Sequence, residues 1–211
     1  MPTSYVWMVS IIQKSRSRQI KNMRSTILKL DRIACRFQQN KKNAPDIIIK
    51  RSTIAGKGVF ANKNIANGVS ICFLEGELCT LDEIMKKISD GIEALSDPLG
   101  VDEEMYLDLD EISRTYNHSC NPNSYIKGKS ELIAMRDIQA GEEITYDYST
   151  TMSDNREKIE KAGGKLWTHE CNCKSKNCRK IIDQFITLPK ERQDFYLSRK
   201  LMPDYMLKKF G

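Results

Sequence analysis

The chain has 211 residues, of which 40% are hydrophobic and 29% are charged, and its formal net charge is +6. This composition is typical of one soluble globular domain with appendages. The longest apolar run, residues 5–12, is too short to cross a bilayer, and basic residues follow it, whereas in a secretory signal they precede it. We therefore expect an intracellular protein without a transmembrane segment, in which the seven cysteines are not a disulfide framework.

The charge is unevenly distributed along the chain. Residues 1–51 hold 12 Lys/Arg and 2 Asp/Glu, a net charge of +10. Residues 82–111 hold 11 Asp/Glu and 2 Lys, a net charge of −9. The acidic stretch can attract a basic peptide such as a histone tail, or it can be an ordinary solvated face.

Residues 10–42 are predicted to be helical, because apolar side chains recur near a period of 3.6 among basic positions. These apolar residues are Ile20, Met23, Ile27, Leu30 and Ala34. A basic amphipathic helix can bind nucleic acid or an anionic membrane, can be an organelle transit peptide, or can simply pack one stripe on the domain. Pro45 breaks the pattern, so we expect a basic helical extension over residues 1–45.

Two strands are predicted next, over residues 46–50 and 69–74. Between them lies Gly56-Lys57-Gly58. Two glycines around one residue let the backbone approach a ligand and offer amide donors to a carboxylate or phosphate, although a plain tight turn is the alternative.

A helix is predicted to begin after Thr80, because Thr80 and Glu83 form a capping box. Its apolar stripe ends before Pro98 and consists of Leu81, Ile84, Ile88, Ile92 and Leu95. Further strands are predicted over residues 105–109, 124–127 and 131–135, the last two joined by a Gly-Lys turn.

Two polar motifs flank these last strands. Residues 114–123 read RTYNHSCNPN, a composition that disfavours helix and strand and is typical of a functional loop. Residues 141–148 read GEEITYDY, in which Tyr146 and Tyr148 alternate and would share one face of a strand. Two neighbouring phenols can line a pocket, or they can be ordinary half-buried strand residues.

Three cysteines are crowded together at Cys171, Cys173 and Cys178, which indicates a metal site. Structural zinc usually has four protein ligands, and the local candidate for the fourth is His169. Three reduced cysteines without metal are the alternative. The remaining Cys35, Cys72 and Cys79 are expected to be packed thiols.

The stretch 149–170 contains a charged helical piece and two adjacent glycines, and the tail contains helical segments broken at Pro189 and Pro203. Four aromatic residues of the tail are expected to dock on the domain. They are Phe185, Phe195, Tyr196 and Tyr205.

The two motifs at residues 114–123 and 141–148, in this order and at this spacing, resemble the SET-domain protein-lysine methyltransferases over about residues 47–182. The resemblance implies a mainly β, β-clip-like fold with short helices, in which the motifs interlock in a knot-like crossing under the active site. The short connection from residue 110 to residue 113 suggests the compact type. The implied organisation is a SET domain at 46–150, a spacer at 151–170, a post-SET zinc segment at 171–182 and a helical extension at 183–211.

The resemblance implies that S-adenosylmethionine donates a methyl group to the ε-amine of a lysine in a histone or another basic protein. Tyr148 matches the catalytic tyrosine and Tyr146 the position that tunes how many methyl groups are added. The residues matching the cofactor site are Lys57, Gly58, Arg114, Asn117, His118 and Tyr148. Two residues depart from the family: Leu74 replaces a tyrosine of the lysine channel and Thr115 replaces a phenylalanine.

In SET proteins with such a tail, the loop cysteine completes a four-cysteine site for one structural zinc ion. The implied ligands are Cys120, Cys171, Cys173 and Cys178. We expect a monomer in the nucleus or cytoplasm, or in a host nucleus if the protein is a secreted effector. Two other functions stay open: an inactive, zinc-stabilised SET-like interaction module, and nucleic-acid binding through the basic N-terminus.

Overall fold

The computed structural model describes residues 45–91, 98–161 and 165–211. The helix predicted over residues 10–42, with Cys35, lies outside the described residues, as do Ile92 and Leu95 of the predicted apolar stripe. No helix in the described part of the chain is both long and apolar enough to span a bilayer.

The described chain is mainly β, as predicted, and its strands form four small antiparallel sheets. Two sheets have two strands each, β1–β2 and β9–β10, and two have three strands, in the orders β3-β8-β7 and β4-β6-β5. The strands are β1 Ile47–Arg51, β2 Lys57–Ala61, β3 Ser70–Phe73, β4 Gly76–Thr80, β5 Pro98–Asp102, β6 Met105–Leu109, β7 Ser124–Lys127, β8 Glu131–Ala134, β9 His169–Glu170 and β10 Ile181–Ile182.

The strands predicted over residues 46–50, 69–74, 105–109, 124–127 and 131–135 each lie within one residue of an observed strand. No strand was predicted at β2, β4, β9, β10 or β5. The Pro-Leu-Gly start of β5 is unfavourable for a strand. It forms nevertheless, because it pairs with β6 along most of its length, with a register shift between Gly100 and Asp102. Pairing with β6 thus stabilises a strand that the local sequence does not predict.

Helix α1, Leu81–Ser89, begins at the predicted capping box. The hydroxyl of Thr80 accepts from the backbone N–H of Glu83, and the Glu83 carboxylate accepts from that of Thr80 at 2.8 Å. Leu81 and Ile84 bury the apolar side of the helix. The helix ends at Ser89, earlier than the predicted stripe, and residues 92–97 lie outside the described part.

In the part of the chain that the structure describes, three further α-helices follow the second motif: α2 Arg156–Lys161, α3 Lys190–Ser198 and α4 Asp204–Phe210. Pro189 and Pro203 stand immediately before α3 and α4, as predicted, because proline fits a helix start but not its interior. The two last helices close a core of their own. Its buried members are Phe185, Leu188, Tyr196, Met202 and Met206. The expected docking on the domain is observed for Tyr196 and Tyr205, whose hydroxyls bond Asp147 and the carbonyl of Thr151. Phe195 packs against the core of the tail itself.

Candidate active site

The two sequence motifs meet side by side in the structure. A parallel bridge joins His118 to Tyr146. The backbone N–H of Ser119 donates to the carbonyl of Tyr146 at 3.1 Å, and the N–H of Tyr146 donates to that of Asn117 at 3.3 Å. The predicted meeting of two distant pieces of chain is therefore observed.

Asn123 also links the two motifs. Its amide oxygen accepts from the N–H of Thr145 at 2.9 Å, and its amide nitrogen donates to the carbonyl of Glu143 at 2.8 Å. Asn123 is buried, so both halves of its amide need partners. An asparagine here therefore serves as a brace between the motifs.

A strand was predicted to continue through Tyr148. Instead, Tyr148 begins a 3₁₀ turn, Tyr148–Thr151. The turn starts here because the Asp147 carboxylate accepts from the N–H of Ser149 at 3.1 Å, a local bond that competes with extended structure. The rings of Tyr146 and Tyr148 still pack together, with centroids 4.8 Å apart. The prediction of neighbouring phenols holds, although its stated reason, strand alternation, was wrong.

The hydroxyl of Tyr148 donates to the carbonyl oxygen of Tyr116 at 2.7 Å, so the phenol is held against the first motif. Tyr146 is buried, and burial raises the pKa of its hydroxyl well above the usual value. Its phenol is therefore neutral and cannot act as a base at ordinary pH.

His118 joins the tyrosine turn to the cysteines. Its Nδ1 accepts from the backbone N–H of Tyr148 at 3.1 Å, so the ring proton of the neutral form is on Nε2, which lies 3.3 Å from the Cys120 sulfur. Burial lowers the pKa of His118 to about 4, despite the opposing effect of the Asp147 carboxylate. Both ring nitrogens are thus occupied by structural contacts.

Asn117 holds the glycine segment in place. Its amide nitrogen lies 3.2 Å from the carbonyl of Ala55, 3.0 Å from that of Lys57 and 2.7 Å from the Glu143 carboxylate. Gly58 packs under this group, where a Cβ would lie 2.2 Å from Glu143 Oε1. Gly58 lies close against this hydrogen-bonded group, and it is not among the residues that line the neighbouring cavity.

We expect Gly58→Ala to lower the free energy of unfolding by at least about 2 kcal/mol, because the added methyl group must displace Glu143 from Asn117. Gly56→Ala is the matched control: its Cβ would meet nothing within 4 Å, and only the φ of +44° opposes it, at a cost of about 1 kcal/mol. Urea unfolding of both variants measures the difference. Equal losses would contradict the packing role of Gly58.

A cavity of about 430 Å³ lies beside the crossing. Five of the six residues predicted to bind a cofactor line it: Lys57, Arg114, Asn117, His118 and Tyr148. Such a volume is within the usual range for small-molecule sites. Tyr146 is packed behind Tyr148 and, like Gly58, does not line the cavity.

Arg114 lines the cavity while its guanidinium is held by the end of β6. Its Nε and Nη2 donate to the carbonyl of Leu109, and Nη2 lies 3.7 Å from the Asp108 carboxylate. Thr115 lines the cavity at the position where the family's phenylalanine was expected. Its hydroxyl donates to the carbonyl of Ile112 at 2.6 Å.

Part of the cavity lining comes from residues for which the sequence did not predict this role. Trp167 and His169 stack, with ring centroids 6.0 Å apart and an angle of 23° between the planes. Both line the cavity, together with Glu170 and Ile182. The spacer thus closes the site. A tryptophan directly before the cysteine segment was the available signal.

Four cysteines converge as the resemblance implied. The sulfurs of Cys120, Cys171, Cys173 and Cys178 all lie within 4.8 Å of one another, and those of Cys120 and Cys171 are 3.7 Å apart. Tetrahedral Zn²⁺ with bonds of about 2.3 Å places its sulfurs about 3.8 Å apart, so this donor set fits zinc. His169 is exposed, and its Nδ1 lies 2.7 Å from the carbonyl of Glu170. It is not part of this cluster.

An ion pair connects the cysteine segment to the tyrosine turn. Arg179, directly after Cys178, donates through both terminal nitrogens to the Asp147 carboxylate, at 2.9 Å and 2.7 Å. Asp147 is buried, so its carboxylate oxygens need these hydrogen-bond donors as partners. The turn that begins at Tyr148 is therefore held in part by Arg179 of the cysteine segment.

Two carboxylates of the acidic stretch are paired within the chain. Asp108 contacts Lys87 of the same stretch, and Glu104 contacts Lys158. These two pairs account for part of the acidic residues as an internally paired face. Cys72 and Cys79 are buried thiols, as expected.

Comparison with known proteins identifies the central segment. Residues 56–149 match the model of the SET domain family. The Variant-silencing SET domain-containing protein of Plasmodium falciparum is 33% identical over 150 residues, which cover 63% of this chain and 5% of that protein. Human Histone-lysine N-methyltransferase 2B is 30% identical over 178 residues, covering 76% of this chain and 6% of that protein. The chain thus corresponds to a small part of the length of these relatives.

A solved structure shares the fold. A chain of Chaetomium thermophilum Polycomb Repressive Complex 2, in the structure described as apo ctPRC2 in an autoinhibited state, superposes with a TM-score of 0.50 and 23% identity. The match covers 57% of this chain and 17% of that chain.

Proposed function

This chain belongs to the SET-domain family, and we propose that it transfers a methyl group from S-adenosylmethionine to the ε-amine of a lysine in a histone or another basic protein. The observation that carries the proposal is the position of Tyr148. Its hydroxyl is held at 2.7 Å from the Tyr116 carbonyl, where the two motifs cross at the edge of the cavity.

The cavity suits a donor with a charged amino-acid end and an aromatic base. Its lining includes the glycine segment with Lys57, Arg114 and Asn117, and also the stacked rings of Trp167 and His169. We propose that the first group of residues holds the charged end and the stacked rings hold the base. When bound, the donor supplies a sulfonium methyl group that a neutral amine can attack.

The amine must be neutral to react, and at pH 7.5 deprotonating a free lysine costs about 4 kcal/mol. Tyr146 and His118 do not offer a base for this, because the pKa of Tyr146 is raised and Nδ1 of His118 already accepts from Tyr148. We propose that the buried surroundings of Tyr148 lower the amine pKa instead. The proton then leaves to solvent before methyl transfer.

The chain's main contribution is then orientation, which can supply on the order of 7–11 kcal/mol when reacting atoms are held in line. The Tyr148 phenol is fixed by the Tyr116 carbonyl, by the rings of Tyr146 and His118, and by the turn that follows Asp147. A rigid hydroxyl of this kind can direct the lone pair of the amine.

The names of the relatives point to histones, and a histone substrate would place the reaction in a nucleus. The cysteine cluster is proposed to hold one zinc ion as a structural element that closes the cavity wall.

Incubation of the full chain with labelled S-adenosylmethionine and a panel of core histones and basic peptides tests this function. Label on lysine supports it. Leu74 in place of the channel tyrosine favours a second candidate, an interaction module without catalysis. Donor binding without transfer to any protein in the panel would favour that candidate and contradict the first.

A further inference from the structure

The C-terminal helices contact both ends of the turn that carries Tyr148. At the first end, the hydroxyl of Tyr196 on α3 donates to the Asp147 carboxylate at 2.9 Å. At the second end, the hydroxyl of Tyr205 on α4 donates to the carbonyl of Thr151. Both helices lie outside residues 56–149, which match the family model. The contacts therefore come from outside the matched domain.

The first contact is specific in direction. Arg192, on the same helix, donates to the Tyr196 oxygen at 2.9 Å and to the carbonyl of Cys120 at 3.2 Å. Because a guanidinium donates only, the Tyr196 oxygen accepts from Arg192 and its own proton is directed to Asp147. Tyr196 and Asp147 are both buried, so water does not replace this bond.

The second contact is equally confined. Gly100 on β5 lies against it: a Cβ there would be 2.5 Å from the Thr151 carbonyl and 2.7 Å from the Tyr205 hydroxyl. Met152, which follows Thr151 in the chain, accepts at its carbonyl oxygen from the N–H of Phe185 at 3.0 Å. The end of the turn is thus enclosed by β5 and by the C-terminal core.

We infer that Tyr196 and Tyr205 are positioning residues for Tyr148: they fix the two ends of its turn without touching the cavity. The inference rests on the proposed function, in which the place of the Tyr148 hydroxyl decides the rate. A displacement of about 1 Å at a reacting centre can cost about 100-fold in rate. Hydroxyl groups far along the chain therefore control the chemistry through the backbone of Tyr148–Thr151.

The test uses the full chain with Tyr196→Phe, Tyr205→Phe and the double variant. Tyr125→Phe, on β7, is the matched control, because it removes a phenol hydroxyl outside these contacts. Two readouts are taken: kcat and KM with S-adenosylmethionine and mixed core histones, and amide hydrogen exchange of peptides covering residues 146–151. We expect a kcat about tenfold lower in each single variant, a donor KM within about threefold of wild type, and faster exchange in this segment.

With an active wild type, a kcat equal to that of the control overturns the inference, whatever the exchange or the melting temperature shows. If the wild type transfers no methyl group, the proposed function fails and the exchange alone decides: faster exchange at residues 146–151 supports positioning, and unchanged exchange overturns it. Should Tyr196→Phe fail to fold, Tyr205→Phe decides by the same criteria, since its hydroxyl bonds a backbone carbonyl and leaves no buried charge unpaired.

Discussion

Tyr148→Phe is expected to lower the rate of lysine methylation by at least about 100-fold while the chain stays folded. The substitution keeps the ring against Tyr146 and His118 but removes the hydroxyl that donates to the Tyr116 carbonyl at 2.7 Å. The phenol is half-buried, so loss of one hydroxyl is tolerated by the fold, whereas the orientation of the amine is lost. Initial rates with labelled donor and core histones measure the effect.

Tyr125→Phe again serves as the control, with a rate close to that of wild type. Circular dichroism and donor affinity show whether Tyr148→Phe is folded and still binds. A folded Tyr148→Phe variant that methylates within threefold of the wild-type rate would refute the role assigned to this hydroxyl.

Cys120→Ser is expected to release zinc and to weaken donor binding by at least about tenfold. Cys120 is the ligand candidate that comes from the loop, whereas Cys171, Cys173 and Cys178 come from the tail. Loss of the loop ligand removes the link between the loop and the tail. The cavity lining at Glu170 and Ile182 then loses its support. Metal analysis by plasma mass spectrometry and calorimetric titration of S-adenosylhomocysteine measure the two effects.

Cys79→Ala is the control for a lost thiol, because Cys79 is buried but lies outside the cluster. It should keep about one zinc per chain and an unchanged donor affinity. Zinc content in Cys120→Ser equal to that of the control would remove Cys120 from the ligand set. Normal donor binding after zinc loss would separate the metal from the cavity.

The crossing was predicted through the resemblance of the two motifs to a known family. The motifs are recognisable because their contacts allow few substitutes: Asn123 needs a donor and an acceptor in one side chain, and Asn117 reaches two carbonyls and a carboxylate. The spacing of the three tail cysteines by itself predicted a metal site, since thiolates at short spacing fit few purposes other than metal binding. Cys120 as the fourth ligand came from the resemblance, because the local sequence offered His169, which lies outside the cluster.

The parts that were not predicted have two causes, a local side-chain bond and contacts between segments far apart in the sequence. The turn at Tyr148 follows from a side-chain bond of Asp147 that alternation of residues does not reveal. Trp167 lines the cavity together with residues that lie far from it in the sequence, such as Lys57. Tyr196 was correctly expected to dock, but its partner Asp147, 49 residues earlier, follows from the packing of α3 alone.

A crystal structure of the full chain with S-adenosylhomocysteine tests the central claim most directly. The account predicts one ligand in the cavity between Lys57 and Trp167, with its sulfur beside the Tyr148 hydroxyl and a narrow opening for a lysine on the opposite side. A ligand bound elsewhere, or one whose sulfur points away from Tyr148, would contradict the account.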